Sequence, residues 1–151
     1  MIANKIKELI TMGKETTNKI HEFYPLIYPF KLWVVINPKL DDVRDRFYTY
    51  DTNDNLHDFD NTCFINIGND IAMTCYPVCE KSSWWKGIIL FIRNKKAVDV
   101  GGMAHEASHI VDYMCDTFGI KGFTFDEGEA RAYLVGWAAN CIDSVMKGIV
   151  K

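Results

Sequence analysis

Hydrophobic residues follow a helical period at both ends of the chain and a strand-like period in between. The first segment, 2–20, has isoleucine and leucine at helical spacing with Lys and Glu between them, which predicts an amphipathic N-terminal helix. After Asp99 the helical period returns and predicts two more helices, over about 100–116 and 126–147. The chain therefore has three predicted long helices, one before and two after its middle part.

The middle part, 31–93, alternates short apolar runs with turn residues, which is typical of a sheet region. The runs predict a short helical turn at 41–46, a loop or long hairpin connection at 51–61, and strands at 31–37, 47–50, 63–67, 71–76 and 87–93. Helix, then strands, then two helices without alternation indicates the α+β class. Because successive strands lie too close in sequence for helical crossovers, we expect a small antiparallel or mixed sheet, with antiparallel pairing favoured, packed on the two C-terminal helices.

Composition and charge narrow the class of protein. The chain has 151 residues, 48% of them hydrophobic, so a single domain over 1–151 can bury a core of its own. Its net charge of −3 gives no electrostatic reason to expect nucleic acid or an anionic membrane as a partner. The longest apolar runs have four or five residues, far short of the ~20 that span a bilayer. Five cysteines, an odd number without a C-x-x-C pair, indicate reduced thiols and a cytoplasmic location.

A metal-binding pattern lies inside the first of the two C-terminal helices. Residues 105–109 read H-E-x-x-H, and four-residue spacing puts the imidazoles of His105 and His109 on one helix face. Zinc accepts neutral imidazole nitrogens at ~2.0–2.1 Å in tetrahedral geometry. Glu106 is then turned toward the open coordination position, where it can take a proton from water and pass it to a leaving amine. The pattern predicts a zinc site with Glu106 as the general base.

A catalytic zinc site needs a third protein ligand, and the helix predicted over 126–147 offers two glutamates. Thr124-x-x-Glu127 has the form of a capping box, in which Glu127 folds back to the helix N-terminus. Asp126-x-x-Glu129 has the same form, so both glutamates stay open. We favour Glu129, because a helix capped at Thr124 would place it on a face whose small residues allow a close approach to the first helix.

Acyl-transfer chemistry also needs a hydrogen-bond donor near the scissile carbonyl. Tyr133, one turn beyond Glu129, and Tyr113, one turn beyond His109, are the candidates, and we assign Tyr133 to the catalytic set. Asp112, one turn past His109, either orients a ligand imidazole or is a solvated surface residue.

The string H-E-x-x-H followed by a Glu at the start of the next helix resembles the gluzincin-type zinc metallopeptidases. The local pattern Glu127-x-Glu129-Ala130-x-Ala132-Tyr133 looks more like small zincins, such as the ImmA/IrrE-like peptidases and the compact metallopeptidase-like proteins of tailed phages. The resemblance implies a minimal zincin-like fold. It also implies zinc ligands at His105, His109 and Glu129, with Glu106 as general base. The strand before the active-site helix, 87–93, would line the cleft and pair with an extended substrate.

These features lead to one main hypothesis and two rivals. The main hypothesis is a zinc metallopeptidase acting on a peptide or protein substrate in the cytoplasm, which would be the host cytoplasm or the virion if the chain is phage-encoded. A structural or binding protein of zincin fold, for example a phage assembly component with an architectural metal, is the first rival. A hydrolase acting on something other than peptides is the second. An intact Glu106 favours an enzyme, because an architectural metal site has no use for a base there.

Overall fold

Six strands and four α-helices make up the described part of the chain. A computed structural model describes residues 19–65, 71–121, 124–126 and 128–150. In chain order the elements are β1 (His21–Phe23), β2 (Lys31–Ile36), α1 (Leu40–Val43), β3 (Phe47–Tyr50), β4 (Leu56–Asp58), α2 (Thr62–Ile65), β5 (Met73–Glu80), β6 (Lys86–Ile92), a 3₁₀ turn (Lys95–Ala97), α3 (Val100–Phe118) and α4 (Glu129–Met146). The α+β class is confirmed, and the finer zincin-like architecture stays a prediction.

The six strands form one mixed sheet in the order β1-β2-β6-β5-β3-β4. Every neighbouring pair is antiparallel except β2 and β6, which run parallel from Lys31 opposite Gly87 to Ile36 opposite Ile92. The antiparallel pairing that we favoured is therefore wrong for β2 and β6. The segment 37–85 leaves β2, builds the β3–β5 side of the sheet and returns, so the crossover is made of strands and short helices.

Both faces of the sheet are covered by apolar side chains, because alternate residues of each strand point to opposite sides. On the helix side, Leu32, Val34 and Leu90 pack against buried residues of α3 and α4. On the other side, Trp33 and Phe91 are fully buried in a second cluster with side chains from α1 and β3 and with Phe59. This double burial explains why β2 and β6 are nearly continuous hydrophobic runs.

Both ends of helix α3 are set by residues next to them in the sequence, Asp99 and Gly119. The carboxylate of Asp99 accepts the N–H of Gly102 at 2.7 Å and caps the first turn. Gly119 closes the helix in the left-handed conformation, with φ of 63°, which a glycine adopts without penalty. The predicted helix over 100–116 is confirmed and extends two residues further. Ala107, Ile110 and other buried residues fix its rotation against the sheet.

Helix α4 begins at Glu129, three residues later than predicted. Its N-cap is Gly128, and no side chain caps it, so the helix begins at neither of the two capping boxes that we considered, Thr124 and Asp126. The helix packs on α3 through buried residues such as Leu134 and Ala138. Arg131 also bonds Asp112 of α3, with its Nε 3.2 Å from Oδ1.

Other segments differ from the sequence-based expectations. The predicted strand at 63–67 is wrong for residues 63–65, which belong to α2; there the side chain of Asp60 accepts the N–H of Thr62 at 2.8 Å and favours a helical turn. The predicted connection at 51–61 contains β4, which forms a hairpin with β3. The predicted helix over 2–20 lies outside the described residues as far as residue 18, and 19–20 lead directly into β1, a strand that was not predicted. None of the described helices is long and apolar enough to cross a membrane.

Candidate metal and catalytic site

The imidazoles of His105 and His109 meet on the exposed side of α3. Their Nε2 atoms are 3.1 Å apart, and the two rings are nearly perpendicular, at 84°. Two nitrogens that bind one tetrahedral zinc ion at ~2.0–2.1 Å lie about 3.3 Å from each other. The Nε2–Nε2 distance in the structure agrees with this value to a few tenths of an ångström. The spacing of the two Nε2 atoms is therefore compatible with their binding one zinc ion.

Glu106 lies beside this pair and points toward the sheet. Its Oε2 atom is 3.0 Å from the Sγ of Cys75 on β5, a residue 31 positions away in the sequence. Burial, reinforced by the negative charge of Glu106, raises the pKa of the Cys75 thiol well above its ordinary value. The thiol is thus protonated at neutral pH and donates its hydrogen to the carboxylate.

A cleft of about 510 Å³ opens between α3 and β5 at this point. Its walls are mostly apolar, and they are formed by Met73, Thr74, Cys75, Tyr76, Pro77, Ile88, Glu106, His109 and Tyr113. Burial raises the pKa of Tyr113, so its hydroxyl keeps its proton and can donate a hydrogen bond inside the cleft. A carboxylate, one histidine of the pair and a phenol therefore border one space.

Strand β6, predicted to line the cleft, contributes Ile88 to it, but most of the strand residues that border the cleft belong to β5. Strand β6, which covers the predicted 87–93, has β2 on one side and β5 on the other, so both of its edges are already paired. The prediction that it pairs with an extended substrate is therefore wrong. Strand β3 pairs only with the end of β5, from Val78 to Glu80, and among the described residues no strand pairs with Met73–Tyr76 on that side.

The main-chain groups along this open edge have a definite direction. The carbonyl of Ala72 points to the β6 side, where it accepts the N–H groups of Arg93 and Asn94 at 2.8 and 3.2 Å. Because main-chain groups alternate along a strand, those of Met73 and Cys75 point away from β6. No main-chain partner from the described residues pairs with them there.

Glu129 and Tyr133 lie outside the cleft between α3 and β5. Both border a separate groove of about 720 Å³ on the outer side of α4, together with Phe23 of β1 and without any residue of α3. Glu129 does share this face with Gly136, as expected, yet a Cβ added at Gly136 would meet nothing within 4 Å. The face is therefore not the close approach to α3 that we predicted. Tyr133 is 73% exposed there.

Among the described residues, no group of three or more His, Cys, Asp or Glu side chains is arranged to hold a metal. Glu129 as third ligand stays a prediction, and Glu127 lies outside the described residues. Asp112 is an exposed surface residue, which agrees with the second of our two alternatives, and it also forms an ion pair with Arg131 of α4. The structure shows no contact of Asp112 with a histidine of the pair among the described residues.

One member of the site was not predicted. Cys75 was interpreted only as part of a strand, and its contact with Glu106 joins two elements that sequence periodicity treats separately. The available signal was its position in the strand predicted at 71–76, upstream of the helix that carries the H-E-x-x-H pattern. Comparison with known proteins adds no name to the arrangement: no family model, no curated protein and no solved structure matches the chain.

Proposed function

We propose that the protein is a zinc-dependent peptidase whose catalytic base is Glu106. The observation that carries the proposal is the convergence of the His105 and His109 Nε2 atoms, 3.1 Å apart, next to a carboxylate that faces a cleft. When bound, zinc supplies a Lewis acid that makes water nucleophilic at neutral pH. The two histidines hold the ion, and Glu129 is the sequence-based candidate for the third ligand.

The remaining groups of the cleft have roles that follow from their chemistry. Glu106 takes the proton that the attacking water loses and gives it to the departing nitrogen, which general acid–base catalysis requires. The hydroxyl of Tyr113 donates to the carbonyl oxygen as negative charge develops there. This assignment replaces Tyr133, because Tyr113 lines the cleft and Tyr133 does not.

The open edge of β5 supports a peptide as the substrate. An extended peptide can add to an unpaired strand edge through main-chain hydrogen bonds, independently of its side chains. Met73 and Cys75 offer such groups beside Glu106, whereas Pro77 has no N–H to offer. The mostly apolar walls favour an apolar side chain next to the bond that is cut.

The proposal is tested by zinc content and peptide cleavage measured on the same preparations. We expect about one zinc per chain in the wild type, and loss of zinc in a His105→Ala/His109→Ala variant. His57→Ala is the matched control, since His57 lies exposed on β4, and it should keep its zinc. Glu129→Gln tests the third ligand by the same measurement. Full zinc content in the double variant would refute the site.

Cleavage is assayed on an unbiased peptide library by mass spectrometry. Glu106→Gln keeps the size of the side chain but removes the proton acceptor, so turnover should fall by about 10²–10⁴-fold with zinc content and folding unchanged. Zinc bound by the histidine pair without any peptide cleavage would instead favour a structural or binding role for this fold. Equal cleavage by Glu106→Gln and wild type would exclude Glu106 as the base.

A further inference from the structure

The carboxylate of Glu106 has one fixed partner in the described part of the structure. The Sγ–H of Cys75 donates to Oε2 at 3.0 Å, and no hydrogen bond reaches Oε1 from the described residues. Cys75 lies on the helix-facing side of β5, in a strand fixed by its pairing with β6 through Leu90. A rigid strand thus holds one oxygen of a flexible side chain.

The apolar surroundings strengthen the hydrogen bond between Cys75 and Glu106. Met73 and Ile88 are 5% and 2% exposed and form the cleft floor beside Cys75, so little water competes for the hydrogen bond. A hydrogen bond to a charged acceptor is also stronger than one between neutral groups. The thiol is therefore suited to restrict the rotamers of Glu106.

We propose that Cys75 is a positioning residue for Glu106: its thiol holds Oε2, which leaves Oε1 as the oxygen that accepts the proton from water. The inference rests on the proposed function, since it concerns the base of that reaction. In the proton-transfer step, one O–H bond of the water breaks and leaves its electron pair on the water oxygen, Oε1 forms the new O–H bond, and the hydrogen bond from Cys75 to Oε2 is kept. No electrons pass to the thiol, and Cys75 forms no bond with the substrate.

The test compares three variants in the zinc-loaded protein. Cys75→Ala removes the donor, Cys75→Ser keeps a donor of smaller size, and Cys79→Ala is the matched control. Cys79 is a buried cysteine on the same strand and the same side, and its Sγ is 4.0 Å from the carbonyl of Glu80 instead of contacting Glu106. We expect kcat to fall about tenfold in Cys75→Ala with KM changed less than about twofold, because the lost hydrogen bond acts on the base and not on substrate binding.

Two further results decide between positioning and mere packing. Cys75→Ser should recover most of the lost kcat, whereas Cys79→Ala should leave kcat near the wild-type value. If Cys75→Ala is as active as the wild type, or if the serine variant is as slow as the alanine variant, the inference is overturned while the peptidase function stands. If the wild type cleaves no peptide in the library, the proposed function itself fails, and the positioning role fails with it.

A measurement that is independent of activity checks the contact. The infrared S–H stretching band of a cysteine shifts to lower frequency when the thiol donates a hydrogen bond, and Cys75→Ser identifies the band of Cys75. We expect this band to move to higher frequency in Glu106→Ala and to stay in place in His57→Ala. A band that is the same in Glu106→Ala and the wild type would overturn the inference, whatever the activity.

Discussion

Gly87 of β6 lies in close contact with the parallel strand β2, and replacing it should lower the stability of the fold. An alanine Cβ at this position would lie 2.0 Å from the carbonyl oxygen of Lys31 and 2.7 Å from Cζ3 of Trp33. The first neighbour is main chain of the parallel partner strand, and the second is a fully buried indole. Neither can move away without opening the pair at its first register position.

The size of the effect follows from these contacts. Overpacking of a filled core costs about 1–3 kcal/mol, and a weakened main-chain hydrogen bond adds roughly 0.5–1.5 kcal/mol. We therefore expect Gly87→Ala to lower the free energy of unfolding by about 2–4 kcal/mol. For a chain of this size that corresponds to a fall in Tm of roughly 5–15 °C.

The assay is urea denaturation followed by far-UV circular dichroism, with Gly136→Ala as the control. A Cβ at Gly136 meets nothing within 4 Å, and the position lies inside α4, so alanine should stabilise the protein by up to about 1 kcal/mol. The two substitutions are chemically identical and should have opposite signs. A Gly87→Ala protein as stable as the wild type would refute the close parallel pairing of β2 and β6.

Two more predictions concern the cleft and a buried thiol. Tyr113→Phe should lower peptide turnover by roughly 10²–10³-fold at unchanged zinc content; if Tyr133→Phe causes the loss instead, the assignment from the cleft is wrong. Burial raises the pKa of Cys141 to about 12 from 9.0. Its contribution to stability is therefore complete below pH 9 and is lost as the pH rises toward 12, by at most about 1.4 kcal/mol per pH unit. Urea denaturation at pH 8 and 10 should show a larger loss for the wild type than for Cys141→Ala, and equal losses would contradict the burial of the thiol.

The parts of the fold that depend on local signals could be predicted from the sequence. Helix α3 carries its own cap at Asp99 and its own stop at Gly119, and its predicted bounds agree with the structure to within two residues. The apolar runs at 31–37 and 87–93 likewise predict strands, which β2 and β6 confirm. In these elements, local preference and tertiary packing favour the same conformation.

The parts of the fold that depend on long-range arrangement could not be predicted from the sequence. The parallel pairing of β2 and β6 joins segments separated by residues 37–85, and nothing in either strand encodes the direction of its neighbour. The apolar residues of α2 fit a strand or a helix equally well, and the hydrogen bond from Thr62 to Asp60 favours the helix.

In the candidate site, too, local features could be predicted from the sequence and long-range contacts could not. The H-E-x-x-H spacing is a property of one helix, so the meeting of His105 and His109 follows from the sequence alone. The contact of Glu106 with Cys75 and the place of Tyr113 in the cleft depend on how α3 lies over β5. Where Glu129 points depends on the rotation of α4, which the capping pattern did not determine.

The distribution of unpaired backbone over the sheet has a consequence for self-association. Both outer strands, β1 and β4, have only three residues, and β4 carries the charged Asp58, so each offers little to a strand of another molecule. The longer open stretch, Met73–Tyr76, ends at Pro77, the one proline in a described strand, which cannot continue a ladder of N–H donors. In the described strands, edge-to-edge aggregation is thereby limited to a few residues, and those few border the cleft, where the proposed peptide substrate would cover them.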